Sequence, residues 1–133
     1  MSEGFKLEIV NPEQSFLSKD KVLEVVVPAF EGDMGILKDH ISIISFLKPG
    51  LVRVFVSSSN QETYYVEDGI IEFKNNCLSI LTSYIFNINK IDKIVVRDIL
   101  NKAEEDANKK DMSDQIKYLL NQKIEVLKSL NLN

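Results

Sequence analysis

Hydrophobic and polar side chains alternate along the front of the chain and then change period after Ile88. Phe5, Leu7 and Ile9 are interleaved with Lys6 and Glu8 before Asn11-Pro12-Glu13 breaks the run. A period of two predicts a half-buried strand entering a turn. Residues 22–27 are rich in β-branched side chains and end at Pro28, and further strands are predicted at 40–47, 51–56, 62–67, 69–73 and 77–82. Pro49-Gly50, Ser57-Ser58-Ser59-Asn60, Asp68-Gly69 and Lys74-Asn75-Asn76 carry turn residues between them. Short strands at such spacing predict a β-sandwich or barrel.

Beyond Ile88 the apolar positions recur at helical spacing. Val95, Ile99 and Ala103 fall four apart with Leu100 and Ala107 beside them, and Ile116, Leu120, Ile124 and Leu127 repeat the pattern. Asn108-Lys109-Lys110-Asp111 is a polar connector short enough to fold two helices back antiparallel, and Ser113 or Asp111 can cap the second. The organisation expected is therefore a β-sandwich domain over residues 1–87 and an antiparallel two-helix hairpin over 88–133. A hairpin cannot enclose a core of its own. Ile99, Ile116, Leu120 and Ile124 are expected to rest on the sandwich, because otherwise they form an exposed apolar patch.

Composition narrows the function. With 44% hydrophobic and 27% charged residues the chain has the make-up of a folded globular protein. Cys77 is the single cysteine, so no intrachain disulfide and no cysteine metal cluster can form. Met1-Ser2-Glu3-Gly4-Phe5 has neither a basic nor an apolar stretch, and no segment approaches the roughly 20 apolar residues of a membrane span. The expectation is a chain with no export signal or transit peptide, of bacterial or organelle-encoded origin. Of the net charge of -4, the front accounts for the excess: residues 1–88 hold seven basic and twelve acidic groups, against nine and eight in residues 89–133. An acidic block repels a phosphate backbone, so nucleic acid is not an expected partner.

Candidate chemistry is sparse. His40 is the only histidine, and although Glu31, Asp33 and Asp39 lie near it in sequence, there is no His-x-x-x-His pair and no nucleophile signature. Neither a metal nor a catalytic residue is expected. Gly32-Asp33-Met34-Gly35 is flanked by negative charge where a phosphate cradle needs free N–H groups and a cation, so it reads as a turn. Asp33 and Met34 then form a loop tip of acidic and flexible apolar character, suited either to solvent or to protein contact. Lys117, Lys123 and Lys128 against Asp114 and Glu125 give the second helix a mildly basic face.

Specific segments carry a resemblance. Glu31-Gly32-Asp33-Met34-Gly35-Ile36-Leu37 with His40, followed by Leu47-Lys48-Pro49-Gly50-Leu51-Val52-Arg53-Val54, resembles the signature of the epsilon subunit family of bacterial F-type ATP synthases. Tyr65-Val66 and Gly69-Ile70-Ile71-Glu72-Phe73 are similar to a second segment of that family, and Leu7-Glu8-Ile9-Val10 through Phe16 to its first strand pair. The resemblance implies a β-sandwich of about ten strands followed by two antiparallel helices. It also implies a non-catalytic central-stalk rotor subunit of a proton-translocating synthase, without a bound cofactor. The implied partners are the gamma subunit and the c-ring and, through the hairpin, the alpha and beta catalytic subunits, whose hydrolysis the lifted hairpin blocks. Such a subunit is peripheral on the cytoplasmic face of the bacterial inner membrane, held there by protein contacts. By the same resemblance Glu31, Asp33 and Met34 fall on the family's c-ring contact loop and His40 near its gamma-facing side, and Ser42 is a further partner-binding residue.

Two departures accompany the match. Members that bind ATP on the folded hairpin carry Ile or Leu, Asp, two residues and Arg-Ala, whereas here Ile91-Asp92-Lys93-Ile94-Val95-Val96 places Val95 at the arginine. Arg97 is about 140° around the helix from Asp92 and so does not simply replace the missing arginine on the same face. Lys38-Asp39-His40-Ile41-Ser42 also stands where the family has Pro-Gly-His-Ala-Pro. Two further readings stay open. A small-molecule-binding sandwich with a regulatory hairpin requires a deep apolar pocket lined from both sheets, and an enzyme requires His40 within hydrogen-bond reach of Asp33 or Asp39.

Overall fold

The computed structural model describes residues 4–13 and 15–130. Residues 1–3, on which the expectation about an export signal partly rests, and 131–133, the end of the expected hairpin range, lie outside the described residues. Ten strands come first: β1 (Phe5–Val10), β2 (Ser15–Val22), β3 (Glu24–Ala29), β4 (Gly32–Leu37), β5 (Ile43–Leu47), β6 (Gly50–Ser57), β7 (Asn60–Val66), β8 (Gly69–Lys74), β9 (Cys77–Leu81) and β10 (Ile85–Asn87). Helices α1 (Lys93–Ala107) and α2 (Asp114–Ser129) follow.

The strands form one curled sheet in the order β10-β7-β6-β3-β5-β8-β9-β1-β2, with β4 paired to β3. Its inward positions close over a single core. Phe5, Leu7 and Ile9 of β1, Val25 and Val27 of β3, Ile36 of β4, Val52 and Val54 of β6, Ile71 and Phe73 of β8, and Leu78 and Ile80 of β9 are all buried in it. The alternation of Phe5, Leu7 and Ile9 predicted the inward face of β1, because successive side chains of a strand point to opposite sides.

Pro28 and Pro49-Gly50 do not act as the sequence suggested. Strand β3 runs through Pro28 to Ala29, at the place where its pairing passes from β6 at Glu24, Val25 and Val26 to β5 at Ala29. A missing N–H matters least where one ladder ends and another begins. Since β5 and β6 are consecutive and both antiparallel to β3, they are two parts of one strand bent at Lys48-Pro49, and the bend carries the chain from the β8 side of the sheet to the β7 side. The Lys48 amide donates to the Pro28 carbonyl at 3.0 Å, securing the corner. A Cβ on Gly50 would stand 2.5 Å from Pro28 Cβ, so only glycine fits against that ring.

The hairpin lies on the sheet through a second, smaller cluster. Tyr65 and Phe86 from the strands meet Val96 of α1 and Leu127 of α2. Because the start of α1 and the end of α2 share this cluster, the helices are antiparallel. Asp92 caps α1 by accepting from the Ile94 amide at 2.8 Å, and Ser113 caps α2 through the Ile116 amide at 3.2 Å. Of the predicted stripe on α1, Ala103 is buried and Ile99 half-buried, but at the first turn Val96 is buried in place of Val95, which is 40% exposed. On α2, Leu120 and Ile124 are half-buried, whereas Ile116 is 53% exposed, so the predicted stripe is not covered throughout. One stripe of α2 cannot serve both α1 and the sheet along its whole length.

Candidate functional site

The segment read as a loop tip is a strand. Ala29 pairs with Gly32, so the β3–β4 hairpin turns on two residues, Phe30 and Glu31, and Gly32-Asp33-Met34-Gly35 belongs to β4. Gly32 has φ +133, a conformation open to glycine, and no atom lies within 4 Å of where its Cβ would be, so backbone geometry and not crowding sets the residue there. Pairing with β3 overrides the turn-like composition. Asp33 and Met34 consequently point to opposite faces. Met34 packs against the main core, while Asp33 is exposed, with an Oδ2 oxygen 3.8 Å from Nη1 of Arg53. Such an exposed pair contributes less than about 1 kcal/mol. The exposed tip itself is Phe30 and Glu31.

His40 and Ser42 follow the far end of β4. The His40 amide donates to the Leu37 carbonyl at 3.1 Å, and its ring Nδ1–H donates to the Ile41 carbonyl at 2.7 Å. The ring stands edge-on to buried Phe73, with centroids 5.8 Å apart. Asp39 is bonded to Asn76 and not to the histidine. The geometry required for His40 to work with a carboxylate is therefore not the one recorded. At about 3.4 Å per residue, β4 holds the Glu31–Asp33 end and the His40–Ser42 end on the order of 20 Å apart. The five sequence candidates thus divide into two groups, exposed Glu31 and Asp33 at one end and half-buried His40 with exposed Ser42 at the other, with Met34 turned inward.

Sequence reasoning missed a set of exposed apolar side chains. Phe46 on β5, Ile70 on β8 and Leu81 on β9 are successive cross-strand partners on the outer face of the sheet. With Ile44 they are 60%, 41%, 51% and 66% exposed, respectively. The signal was present in Ile43-Ile44-Ser45-Phe46-Leu47, which is apolar at both parities of the strand where a solvated outer face calls for polar residues. Phe30, Phe46, Ile70 and Leu81 line an open cleft of about 610 Å³, and Leu119 of α2 closes one side. This cleft is on the surface. The interior between the two halves of the sheet is filled by core side chains, so no deep pocket lined from both halves is found among the described residues.

Comparison with known proteins decides the family. The profile described as "ATP synthase, Delta/Epsilon chain, beta-sandwich domain" matches residues 4–88. The ATP synthase epsilon chain of Pelagibacter ubique (strain HTCC1062) is 67% identical over 131 residues, spanning 98% of this chain and 100% of that one. The chain belongs to the ATP synthase delta/epsilon family. It is also 31% identical to the epsilon chain of Rhizobium meliloti (strain 1021), over 98% of this chain and 95% of that protein. A chain in the cryo-EM structure of Euglena gracilis mitochondrial ATP synthase, OSCP/F1/c-ring in rotational state 1, shares the fold with a TM-score of 0.74 at 18% identity, covering 97% of this chain and 80% of that one.

In this epsilon-chain homologue the junction of hairpin and sheet forms another, smaller cleft. Val95, at the position where ATP-binding members of the family carry arginine, lines a cleft of about 390 Å³ with Glu67, Tyr84, Asp98, Ile99, Lys102 and Lys123. Lys123 Nζ lies 2.5 Å from Glu67 Oε2, tying α2 to the end of β7, and both side chains are about three-quarters covered. Burial and the Glu67 carboxylate push the ionisation of Tyr65 and Tyr84 upward. Tyr64 is pushed up to about 12, first by burial and then by the charge of Glu62. Among the described residues no helix is long and apolar enough to cross a membrane.

Proposed function

We propose that this chain is the non-catalytic central-stalk subunit of the rotor of a proton-translocating F-type ATP synthase. Residues 1–87 are the docking domain, residues 88–133 an inhibitory hairpin, and catalysis belongs to the alpha and beta subunits. The outer face carrying Ile44, Phe46, Ile70 and Leu81, together with His40 and Ser42, takes the gamma subunit. Glu31 and Asp33, with the edge of Met34, meet the polar loops of the c-ring. The subunit is peripheral on the cytoplasmic face of the inner membrane, held there by its protein contacts.

The apolar outer face carries this reading. A sheet exposes contiguous large hydrophobic side chains where another protein covers them. Acidic residues at the hairpin tip add orientation more than affinity. The hairpin's separate, small cluster supports a movable arm, because elements with few buried contacts detach first.

A tagged chain expressed in cells should carry gamma and c subunits through purification of the intact synthase. Loss of the chain from an otherwise intact synthase refutes the assignment. Truncation before Ile88 should keep assembly and raise ATP hydrolysis, while Asp33→Lys should lower proton-driven synthesis without shifting the thermal midpoint.

A further inference from the structure

We infer that Asn76 is a positioning residue for the docking segment 40–42, forming with Asp39 a two-bond clasp that fixes this segment to the β8–β9 turn. The inference rests on the reading of His40 and Ser42 as a partner contact.

Asp39 adopts φ 67, in the left-handed region that side-chain-bearing residues seldom occupy. Something must hold it there. Its amide donates to Asn76 Oδ1 at 2.7 Å, and Asn76 Nδ2 donates back to Asp39 Oδ1 at 2.9 Å. Two bonds of opposite sense between the same residues set both distance and rotation, which a single bond leaves free. Bonds to an ionised carboxylate are also the stronger kind. The clasp is itself anchored, because the Asn76 carbonyl accepts from the Lys6 amide of β1 at 3.1 Å.

Asn75 and Asn76 have φ 51 and 54, the paired left-handed geometry of a tight hairpin turn. Glycine at the second position satisfies that turn equally well. It has no amide to offer Asp39, so the turn alone does not require asparagine. Beyond Asp39, His40 is held by its bonds to Leu37 and Ile41 and by Phe73, whose ring meets Phe5 at 5.6 Å. Ile41, 75% exposed, and Ser42 are left outward on a segment whose conformation is already set. A docking loop ordered before the partner arrives loses less conformational freedom on binding.

Four variants of the full chain test this. Asn76→Gly keeps the turn and removes the clasp; Asn76→Asp sets two carboxylates against each other; Asp39→Asn keeps an acceptor for Asn76; and the double exchange Asp39→Asn with Asn76→Asp rebuilds both bonds, the residue-39 amide still donating to residue 76 and the side-chain bond running in the opposite sense. Amide hydrogen exchange in the isolated chain should speed up about tenfold at Asp39 in the first two and stay unchanged in the last two, the size expected for one such bond. Binding to the purified synthase stripped of this chain should weaken by a similar factor in the same two variants, and the double exchange should restore it. Unchanged exchange at Asp39 in Asn76→Gly, or no recovery in the double exchange, overturns the clasp. Faster exchange with unchanged binding leaves the clasp standing as a structural feature, overturns its docking role and removes segment 40–42 from the partner contact.

Discussion

Replacing Leu127 with alanine separates the two clusters. Leu127 is 1% exposed and sits among Tyr65, Phe86 and Val96, whereas the main core contains no residue of either helix. Leu→Ala at a buried site costs about 2 to 5 kcal/mol, the sum of lost transfer energy and the void left behind. Here Val126 and Leu130 are partly exposed neighbours with room to move in, so the middle of that range, about 3 kcal/mol, is expected. Every 1.4 kcal/mol is a factor of about ten, so the equilibrium for seating the hairpin should shift by on the order of a hundredfold. Native-state amide exchange resolved by peptide should show that loss in α1 and α2, while β1, β8 and β9 keep their protection. Leu78→Ala, at a fully buried position of β9 in the main core, is the control and should lower protection throughout the strands. Equal loss in strands and helices from Leu127→Ala would show one cooperative unit and refute the argument.

Lys123→Glu should loosen the hairpin by about 1 kcal/mol or more, since it sets a carboxylate against Glu67 at a three-quarters-covered site; exchanging both charges should recover the helix protection. If the exchanged pair stays loose, the ion pair is not what holds α2. Gly50→Ala should cost about 1 to 3 kcal/mol in urea unfolding, because its Cβ would collide with the Pro28 ring at the sheet corner. An unchanged urea midpoint would mean that the corner yields freely. Stability should fall as pH rises from 10 to about 12: the unfolded chain ionises its tyrosines first, while folded Tyr64 holds its proton up to about 12. That two-unit gap corresponds to roughly 2 to 3 kcal/mol lost once both states have ionised, and Tyr64→Phe should remove it from the alkaline unfolding curve.

The sandwich was legible wherever one face of a strand is apolar and the other polar, as in Phe5, Leu7 and Ile9. It was not legible where local composition and pairing disagree. Gly32-Asp33-Met34-Gly35 has the make-up of a turn, but it belongs to β4, which six consecutive pairings with β3 hold extended. Pro49-Gly50 looks like a turn and is a bend after which the chain continues along the same edge of β3, a difference that depends on partners far away in sequence. The three residues of β10 are too few for any period. In the hairpin, Val95 and Val96 are equally apolar, and only the position of Tyr65 and Phe86 decides which one turns inward. The candidate site divides in the same way: the His40 segment could be found from its residues, but the bond that fixes it comes from Asn76, brought near only by folding.

The parallel pairing of β1 with β9 has a consequence for how the chain is made. Lys6 lies opposite Cys77 and Val10 opposite Leu81, so β1 leaves the ribosome about 70 residues before the strand it pairs with. Until then β1 has only β2 beside it, and a lone two-stranded ribbon is marginal in water. Phe5, Leu7 and Ile9 remain open to wrong partners for that whole interval, and such long-range closures are also the slow ones. Lys19, Asp20 and Lys21 put charge along β2, the edge a stray strand would otherwise join. The pace of translation through β9, more than the strength of any single contact, sets how long the nascent chain is vulnerable.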